Sequence, residues 1–194
     1  MPNWSFATYR FKASEEQTKN LNQKLEDLSK MKEPYVENGF GNLWCGCLVN
    51  YFGGDWNKVY CRGEITEFEI GDDGLLLMNL ECAWDELPEF RHFIEQHYPG
   101  SKIYYINEES GMGIYTTNDK DGLYFRERYL LDMYDDIEYF ETLETAAKYV
   151  SERIGKQVEP DVKDIQAACD EYYEGHDEAE DYFMSFHEFK VLDD

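Results

Sequence analysis

A hairpin pattern near the centre of the chain restricts the folds that this sequence can adopt. Hydrophobic and polar residues alternate from Val59 to Ile70 and again from Leu75 to Cys82, the period of a half-buried strand. Between these runs stands Gly71-Asp72-Asp73-Gly74, whose residues favour a tight turn. Strands joined so closely pair antiparallel, so the chain contains an antiparallel sheet.

Helical patterns stand on both sides of this hairpin. One helix is predicted to begin at Ser14, which has capping-box spacing to Gln17, and another at Asp85. Strands and helices in this mixture predict an α+β fold with an extended antiparallel sheet and with helices packed on one face. The remaining strands are predicted at Trp4–Phe11, Leu43–Phe52, Lys102–Asn107, Met112–Thr117 and Leu123–Tyr129.

The C-terminal part of the chain is predicted to be an acidic helical segment. After a short edge strand at 137–140, Thr142 caps a helix that Gly155 ends, and a last helix begins at Asp161. That helix carries Ile165 and Cys169 on one apolar stripe. We therefore divide the chain into an α+β domain at 1–130 and a helical segment at 131–194 packed on it.

Charge excludes some classes of function. The chain has 42 Asp and Glu against 18 Lys and Arg, for a formal net charge of -24. This field repels nucleic acid and anionic membranes and attracts basic surfaces. No stretch approaches the roughly 20 apolar residues of a membrane span, and five cysteines in apolar contexts are typical of reduced thiols. We expect a cytoplasmic protein that binds neither nucleic acid directly nor a membrane.

Several short motifs resemble a known family. They are Met1-Pro2-Asn3-Trp4, Trp84 with Leu87-Pro88, Tyr98-Pro99 and Glu108-Glu109-Ser110-Gly111-Met112-Gly113. Their order and spacing resemble the YubB-like proteins, a family carried by plasmids, conjugative elements and phages. The resemblance implies a ferredoxin-like core over roughly residues 1–130 and a mobile-element setting. It supplies no catalytic residues, and Ser5 stands where the family usually has cysteine.

Signatures of catalysis and of metal binding are missing from the sequence. It contains no phosphate-binding Walker loop, nucleophile elbow or zinc-protease helix. His92 with Glu95, and the trio Asp132, Asp135 and Asp136, lack further ligands for a metal. Residues 118–122 resemble a calcium loop but lack its first and last carboxylates, so we predict a hairpin turn there. We predict no enzyme, no cofactor and no metal.

The acidic C-terminal segment is the strongest functional signal. From residue 157 onward its only basic side chains apart from histidine are two lysines, and aromatic residues are interleaved with the carboxylates. A folded helix of this kind presents carboxylates that can imitate a phosphate array and bind arginine. We predict that the segment occupies the basic groove of a nucleic-acid-binding host enzyme, such as a restriction or CRISPR nuclease. The predicted contact residues are Asp170, Glu171, Glu174, Asp177, Glu178, Glu180 and Asp181.

Three alternatives stay open at this point. The carboxylates can serve only as a solvated helix face, because runs of charge commonly do. The chain can instead be a small-molecule sensor or enzyme with an aromatic pocket at the sheet, for which the candidates are Trp44, Trp56, Trp84 and Tyr115. It can also be a structural or assembly module of a mobile element.

Overall fold

The computed structural model describes residues 3–134, 136–176 and 179–193. The chain folds into two compact units. The first unit extends to Ile114 and the second begins at Tyr115. Both contain helices and sheets, so the chain is an α+β protein. We refer to them as unit 1 and unit 2.

Unit 1 contains four antiparallel strands and three helices. The elements in chain order are β1 (Trp4–Lys12), α1 (Glu15–Ser29), α2 (Cys45–Tyr51), β2 (Gly63–Ile70), β3 (Leu76–Ala83), α3 (Pro88–His97) and β4 (Lys102–Glu109). The strands follow the order β2-β3-β1-β4, and each neighbouring pair among β2, β3, β1 and β4 is antiparallel. A short 3-10 helix, Trp56–Lys58, precedes β2.

The first helix of unit 1 begins where the sequence predicts. The Ser14 hydroxyl accepts a hydrogen bond from the Gln17 backbone N–H at 3.3 Å, and the Gln17 side chain accepts one from the Ser14 N–H at 3.1 Å. This reciprocal cap satisfies two backbone donors that the helix itself leaves without acceptors. The apolar face of α1 then joins the inner sheet face in one core, which includes Tyr9, Phe11, Leu21, Leu25, Leu28, Phe90 and Ile94.

The predicted strand at Leu43–Phe52 is wrong, because residues Cys45–Tyr51 form helix α2. Every residue from Cys45 to Val49 is buried. An apolar run that is buried on all sides has no alternation to separate a strand from a helix. Gly46 leaves room for the Trp44 ring, since a Cβ at position 46 would lie 2.1 Å from that ring. Local packing therefore decides the conformation of this segment.

Unit 2 combines a second sheet with two helices. Its elements are β5 (Ile114–Thr117), β6 (Tyr129–Met133), β7 (Ile137–Phe140), α4 (Leu143–Ile154), α5 (Val162–Glu174), β8 (Met184–Glu188) and β9 (Lys190–Val191). Strands β7, β6 and β8 form an antiparallel sheet in the order β7-β6-β8, while β5 and β9 pair parallel. A 3-10 helix, Glu180–Tyr182, precedes β8.

Three expectations for this part of the chain need correction. The C-terminal segment is mixed rather than helical, because strands β7, β8 and β9 accompany its two helices. The parallel pairing of β5 with β9 departs from a wholly antiparallel sheet. The chain divides after Ile114, whereas a boundary after residue 130 would fall inside β6. Strand β6 pairs with both β7 and β8, so a division there would cut one sheet.

The predicted strand at Leu123–Tyr129 is also wrong over most of its length. Residues 123–128 form an irregular loop, and β6 begins only at Tyr129. The cause is the buried side chain of Asp119, which accepts the backbone N–H groups of Leu123, Tyr124 and Phe125 at 3.2, 2.7 and 2.7 Å. Backbone donors that bond a carboxylate are no longer available to a strand ladder. Residues 118–122 are thus a carboxylate-capped loop and not a hairpin turn.

The structure agrees with the prediction of reduced cysteines in apolar contexts. Cys45, Cys47, Cys61, Cys82 and Cys169 are all free and buried. They occupy core positions as small apolar side chains. Within the described residues, no helix combines the length and the apolar character that crossing a membrane requires.

Candidate functional site

Helix α5 carries three of the predicted contact residues. Its N-cap is Asp161, whose side chain accepts the backbone N–H groups of Lys163 and Asp164 at 2.9 and 3.4 Å. Ile165 and Cys169 are fully buried in the core of unit 2, which fixes the orientation of the helix. The opposite side of the helix presents Asp170, Glu171 and Glu174 to solvent. The apolar stripe therefore determines which carboxylates face outward.

The three carboxylates on α5 differ in their contacts. Asp170 accepts a hydrogen bond from the Gln166 amide at 2.7 Å, and the Gln166 carbonyl accepts the Phe186 backbone N–H at 2.9 Å. Glu171 forms an ion pair with Lys156 at 2.5 Å, with both side chains mostly exposed. No ion pair of Glu174 occurs within the described residues. Asp170 thus helps to hold β8 beside α5, whereas Glu174 is available to an external cation.

The 3-10 helix at Glu180–Tyr182 carries two further predicted residues. Glu180 and Asp181 are exposed, and neither has an ion pair with any residue that the structure describes. The Tyr182 ring stacks on His176 with centroids 4.0 Å apart and an interplanar angle of 10°. Because His176 lies two residues beyond the end of α5, this stacking keeps the two acidic segments together. Asp177 and Glu178 lie outside the described residues.

We define the C-terminal acidic surface as Asp170, Glu171, Glu174, Glu180 and Asp181. All five side chains are exposed, and Lys156 is the basic partner found for this set among the described residues. The aromatic residues interleaved with them explain why the segment folds, because Tyr172, His176 and Tyr182 pack on one another. Chemically, the surface can offer charge-assisted hydrogen bonds to arginine and lysine.

Unit 1 contains a separate feature, an aromatic pocket of about 580 Å³. Trp44 and Trp56 meet there edge to face, with ring centroids 5.2 Å apart and planes at 72°. Trp44 lies just before α2, and Trp56 opens the 3-10 helix that Asp55 caps. The full lining is Phe40, Trp44, Trp56, Asn57, Lys58, Val59, Tyr60, Cys61, Arg62 and Glu89.

Two side chains at this pocket, Glu89 and Tyr60, have defined hydrogen-bond partners, whereas one buried donor has none in the described residues. Glu89 accepts the Tyr60 backbone N–H at 2.7 Å, and the Tyr60 hydroxyl donates to the Ala83 carbonyl at 3.1 Å. The indole Nε1 of Trp44 is buried and makes no hydrogen bond to any described residue. Burial raises the pKa of the Cys61 thiol to about 11, with smaller contributions from Cys47 and Glu89. Cys61 is therefore a neutral thiol at physiological pH.

The structure brings together only two of the four aromatic residues proposed for a pocket. Trp44 and Trp56 line the cavity, but Trp84 and Tyr115 do not. Trp84 is 46% exposed, and Tyr115 is buried in unit 2 against His187, with centroids 4.2 Å apart. A pattern of aromatic residues along a sequence does not reveal which rings share a cavity, because that depends on chain reversals.

Sequence reasoning missed the polar members of the pocket, which are Asn57, Lys58, Arg62 and Glu89. Residues 59–62 fit the alternating pattern of a strand, yet β2 begins only at Gly63. The irregular backbone before it places Tyr60, Cys61 and Arg62 together in the lining. The 3-10 turn that Asp55 caps ends at Lys58, and residues 59–62 connect it to β2. No known protein family, curated protein or solved structure matches this chain.

Proposed function

We propose that this chain is a non-enzymatic protein that binds the basic, nucleic-acid-binding surface of another protein. The observation that carries the proposal is the C-terminal acidic surface, where exposed carboxylates outnumber their basic partners. Glu174, Glu180 and Asp181 have no ion pair within the described residues, so their charges are not compensated locally. A surface of this kind gains its binding energy from cations on a partner.

The charge of the whole chain supports the same partner. A net charge of -24 attracts basic proteins from a distance and accelerates their association. Nucleic-acid-binding grooves are positively charged because they must neutralise phosphates. Exposed charges interact over a distance of about 8–10 Å at physiological salt, so such binding weakens as salt increases.

The resemblance to YubB-like proteins supports a more specific proposal. Proteins of plasmids and phages meet the nucleases with which hosts defend themselves, and a carboxylate surface that mimics nucleic acid would block the basic groove of such an enzyme. The partner class is thus a host restriction or CRISPR nuclease. The protein would act in the cytoplasm, for which the five free cysteines are the supporting observation.

A ferredoxin-like core in unit 1 forms part of the same proposal. The order of its main elements is strand, helix, strand, strand, helix, strand, with α2 inserted before β2. The sheet order β2-β3-β1-β4 with antiparallel neighbours supports this assignment. In the proposed arrangement this core is a scaffold, and the contacts with the partner are made by unit 2.

A matched pair of triple variants tests the proposal. The first carries Glu174→Gln, Glu180→Gln and Asp181→Asn on the C-terminal acidic surface. The control carries Glu67→Gln, Glu69→Gln and Asp72→Asn, which makes the same chemical changes at exposed positions of unit 1. Immobilised protein is incubated with a bacterial lysate at low salt, and bound proteins are eluted with double-stranded DNA.

Only the first triple variant should lose DNA-elutable partners. We expect its affinity for a captured protein to fall about tenfold, since each exposed charge contributes roughly 0.2–1 kcal/mol. The control should retain its partners, and both interactions should weaken at high salt. Equal losses in the two variants would show that net charge alone matters, and the proposed surface would then be wrong. Capture that neither DNA nor salt reverses would contradict nucleic-acid mimicry.

A further inference from the structure

The aromatic pocket of unit 1 has the dimensions of a small-molecule site. Its volume of about 580 Å³ lies within the roughly 300–1,000 Å³ range of ligand pockets. Two of its walls are the indole rings of Trp44 and Trp56, set edge to face. Phe40 and Tyr60 also line it and remain 47% and 37% exposed. A planar aromatic ligand would cover these rings and make the ring contacts that aromatic groups favour.

An unsatisfied donor lies in this lining. Trp44 is only 7% exposed, and its buried Nε1 has no hydrogen-bond partner among the described residues. Buried indole N–H groups usually find an acceptor, because removing a donor from water without replacement costs free energy. The wall of the pocket therefore carries the cost of a hydrogen bond that is not made within the described part of the chain.

The charges at the pocket favour an anionic group on the ligand. Lys58 and Arg62 line it together with a single carboxylate, Glu89. Lys58 lies 3.4 Å from Asp55, and Glu89 accepts the Tyr60 N–H. No ion pair of Arg62 is found in residues 3–134, 136–176 and 179–193. Although the chain has a net charge of -24, Arg62 thus places an exposed positive charge at the aromatic pocket.

Backbone strain next to the pocket is a second, independent sign of a functional site. Trp84 and Leu87 are the described non-glycine residues with positive φ, at 76° and 61°. The segment that contains them is tied to Tyr60 at both ends, through the Ala83 carbonyl and the Glu89 carboxylate. Left-handed conformations of bulky residues are costly and cluster at ligand sites. The strained residues Trp84 and Leu87 thus lie in the segment that holds the lining residue Tyr60 in place.

We propose that this pocket binds a planar aromatic ring that carries an anionic group, the chemistry shared by a nucleoside monophosphate and an aromatic carboxylate. The indoles of Trp44 and Trp56 contact the ring, and the Arg62 guanidinium pairs with the anion. This function is independent of the C-terminal acidic surface, which lies in unit 2.

Calorimetric titration of the full chain tests the proposal with two pairs of probes. Adenosine 5′-monophosphate is compared with adenosine, and indole-3-acetate with indole-3-acetamide. We expect one or both anionic probes to bind at least about tenfold more tightly than the matching neutral probe, as a charged hydrogen bond predicts. The anionic probe that binds identifies which of the two ligand sources the pocket takes.

Two variants and a control assign the binding to this pocket. Arg62→Gln should lower the affinity for the anionic probe about tenfold and leave the neutral probe unchanged. Trp44→Phe should weaken both probes, because it removes part of the indole that contacts the ligand ring. Arg126→Gln, at an exposed arginine of unit 2, should bind as the unaltered chain does. The proposal would be overturned if neither anionic probe bound, or if Arg62→Gln bound the anionic probe as tightly as the unaltered chain does. Should Trp44→Phe fail to fold, the result with Arg62→Gln still tests the proposal.

Discussion

Arg91 and Glu86 form an ion pair in the interior of unit 1. The Arg91 Nη2 lies 3.1 Å from Glu86 Oε1 and its Nε lies 3.2 Å from Oε2, with the two side chains 1% and 8% exposed. The guanidinium also lies 5.1 Å from the centre of the Tyr105 ring. Burial raises the pKa of Glu86, although Arg91 and the Tyr9 hydroxyl act to lower it. The effect of removing the Glu86 carboxylate from water on its pKa is therefore larger than the opposing effect of Arg91 and Tyr9.

Removing one partner of this pair should destabilise the fold strongly. Glu86→Gln or Arg91→Met leaves a buried charge without its counter-ion, so we expect each to lower the free energy of unfolding by about 3–5 kcal/mol. The double variant should cost much less than the sum, because neither charge then remains. Urea denaturation of the four proteins measures this coupling. Additive effects would show that the two side chains do not stabilise each other.

Asp119 should be essential to the loop that follows β5. Asp119→Ala leaves the N–H groups of Leu123, Tyr124 and Phe125 without their acceptor, and we expect a loss of about 2–4 kcal/mol in unfolding free energy. Asp119→Asn retains one acceptor oxygen and should lose less. Asp121→Asn is the matched control, since Asp121 is exposed in the same loop. If Asp119→Ala and Asp121→Asn have equal thermal stability, the loop does not depend on this carboxylate.

His187 should make the stability of unit 2 depend on pH. Burial lowers the pKa of the His187 imidazole below its ordinary value of 6.5, and the charge of Asp132 raises this pKa only in part. At pH values between the pKa of His187 in the folded protein and about 6.5, the unfolded chain therefore binds a proton at this residue more readily than the folded chain does. The contribution of His187 to stability is complete above this window and is lost as pH falls through it. Replacement by His187→Gln should remove this component from the pH dependence measured by denaturation.

An NMR titration provides the direct control for this prediction. The imidazole resonances of His187 should titrate below pH 6.5 in the folded protein. Its ring stacks on Tyr115 with centroids 4.2 Å apart, so Tyr115→Ala should expose it and move its pKa toward the ordinary value. A midpoint at or above 6.5 in the unaltered chain would contradict the proposed effect of burial.

The strain at Trp84 can be measured with two small residues. Trp84→Ala and Trp84→Gly both remove the half-exposed ring, but only glycine adopts φ 76° without steric cost. We expect the glycine variant to be about 0.5–1 kcal/mol more stable than the alanine variant, after its greater unfolded-state entropy is included. Thermal denaturation compares the two directly. Greater stability of the alanine variant would show that no strain is stored there.

Local sequence determined those elements whose ends carry their own hydrogen-bonding groups. Ser14 with Gln17, Thr142 and Gly155 mark helix ends in the sequence, and the same residues cap α1 and α4 in the structure. The hairpin of β2 and β3 follows from alternation on either side of a glycine-rich turn. Each of these signals acts between residues close in sequence, so no knowledge of distant contacts is needed.

The sequence also anticipated part of the C-terminal acidic surface. The apolar stripe of α5 predicts that Asp170, Glu171 and Glu174 face solvent, which the structure confirms. It did not reveal that Asp170 orients Gln166 toward β8, or that Glu171 pairs with Lys156. Such contacts join residues on different elements, and their geometry depends on how those elements pack.

The amino-acid sequence by itself determined the α+β class, the net negative charge and the helix caps at Ser14, Thr142 and Asp161. The predicted helix start at Asp85 was wrong, because α3 begins at Pro88 with Leu87 as its N-cap. Tertiary structure alone decided three other features: the helical conformation of Cys45–Tyr51, the loop held by Asp119, and the grouping of Trp44, Trp56 and Arg62 around one pocket. The physical reason is that local patterns report on neighbours along the chain. Burial on all sides, backbone donors that bond a buried carboxylate, and the lining of a cavity depend on residues that only folding brings together.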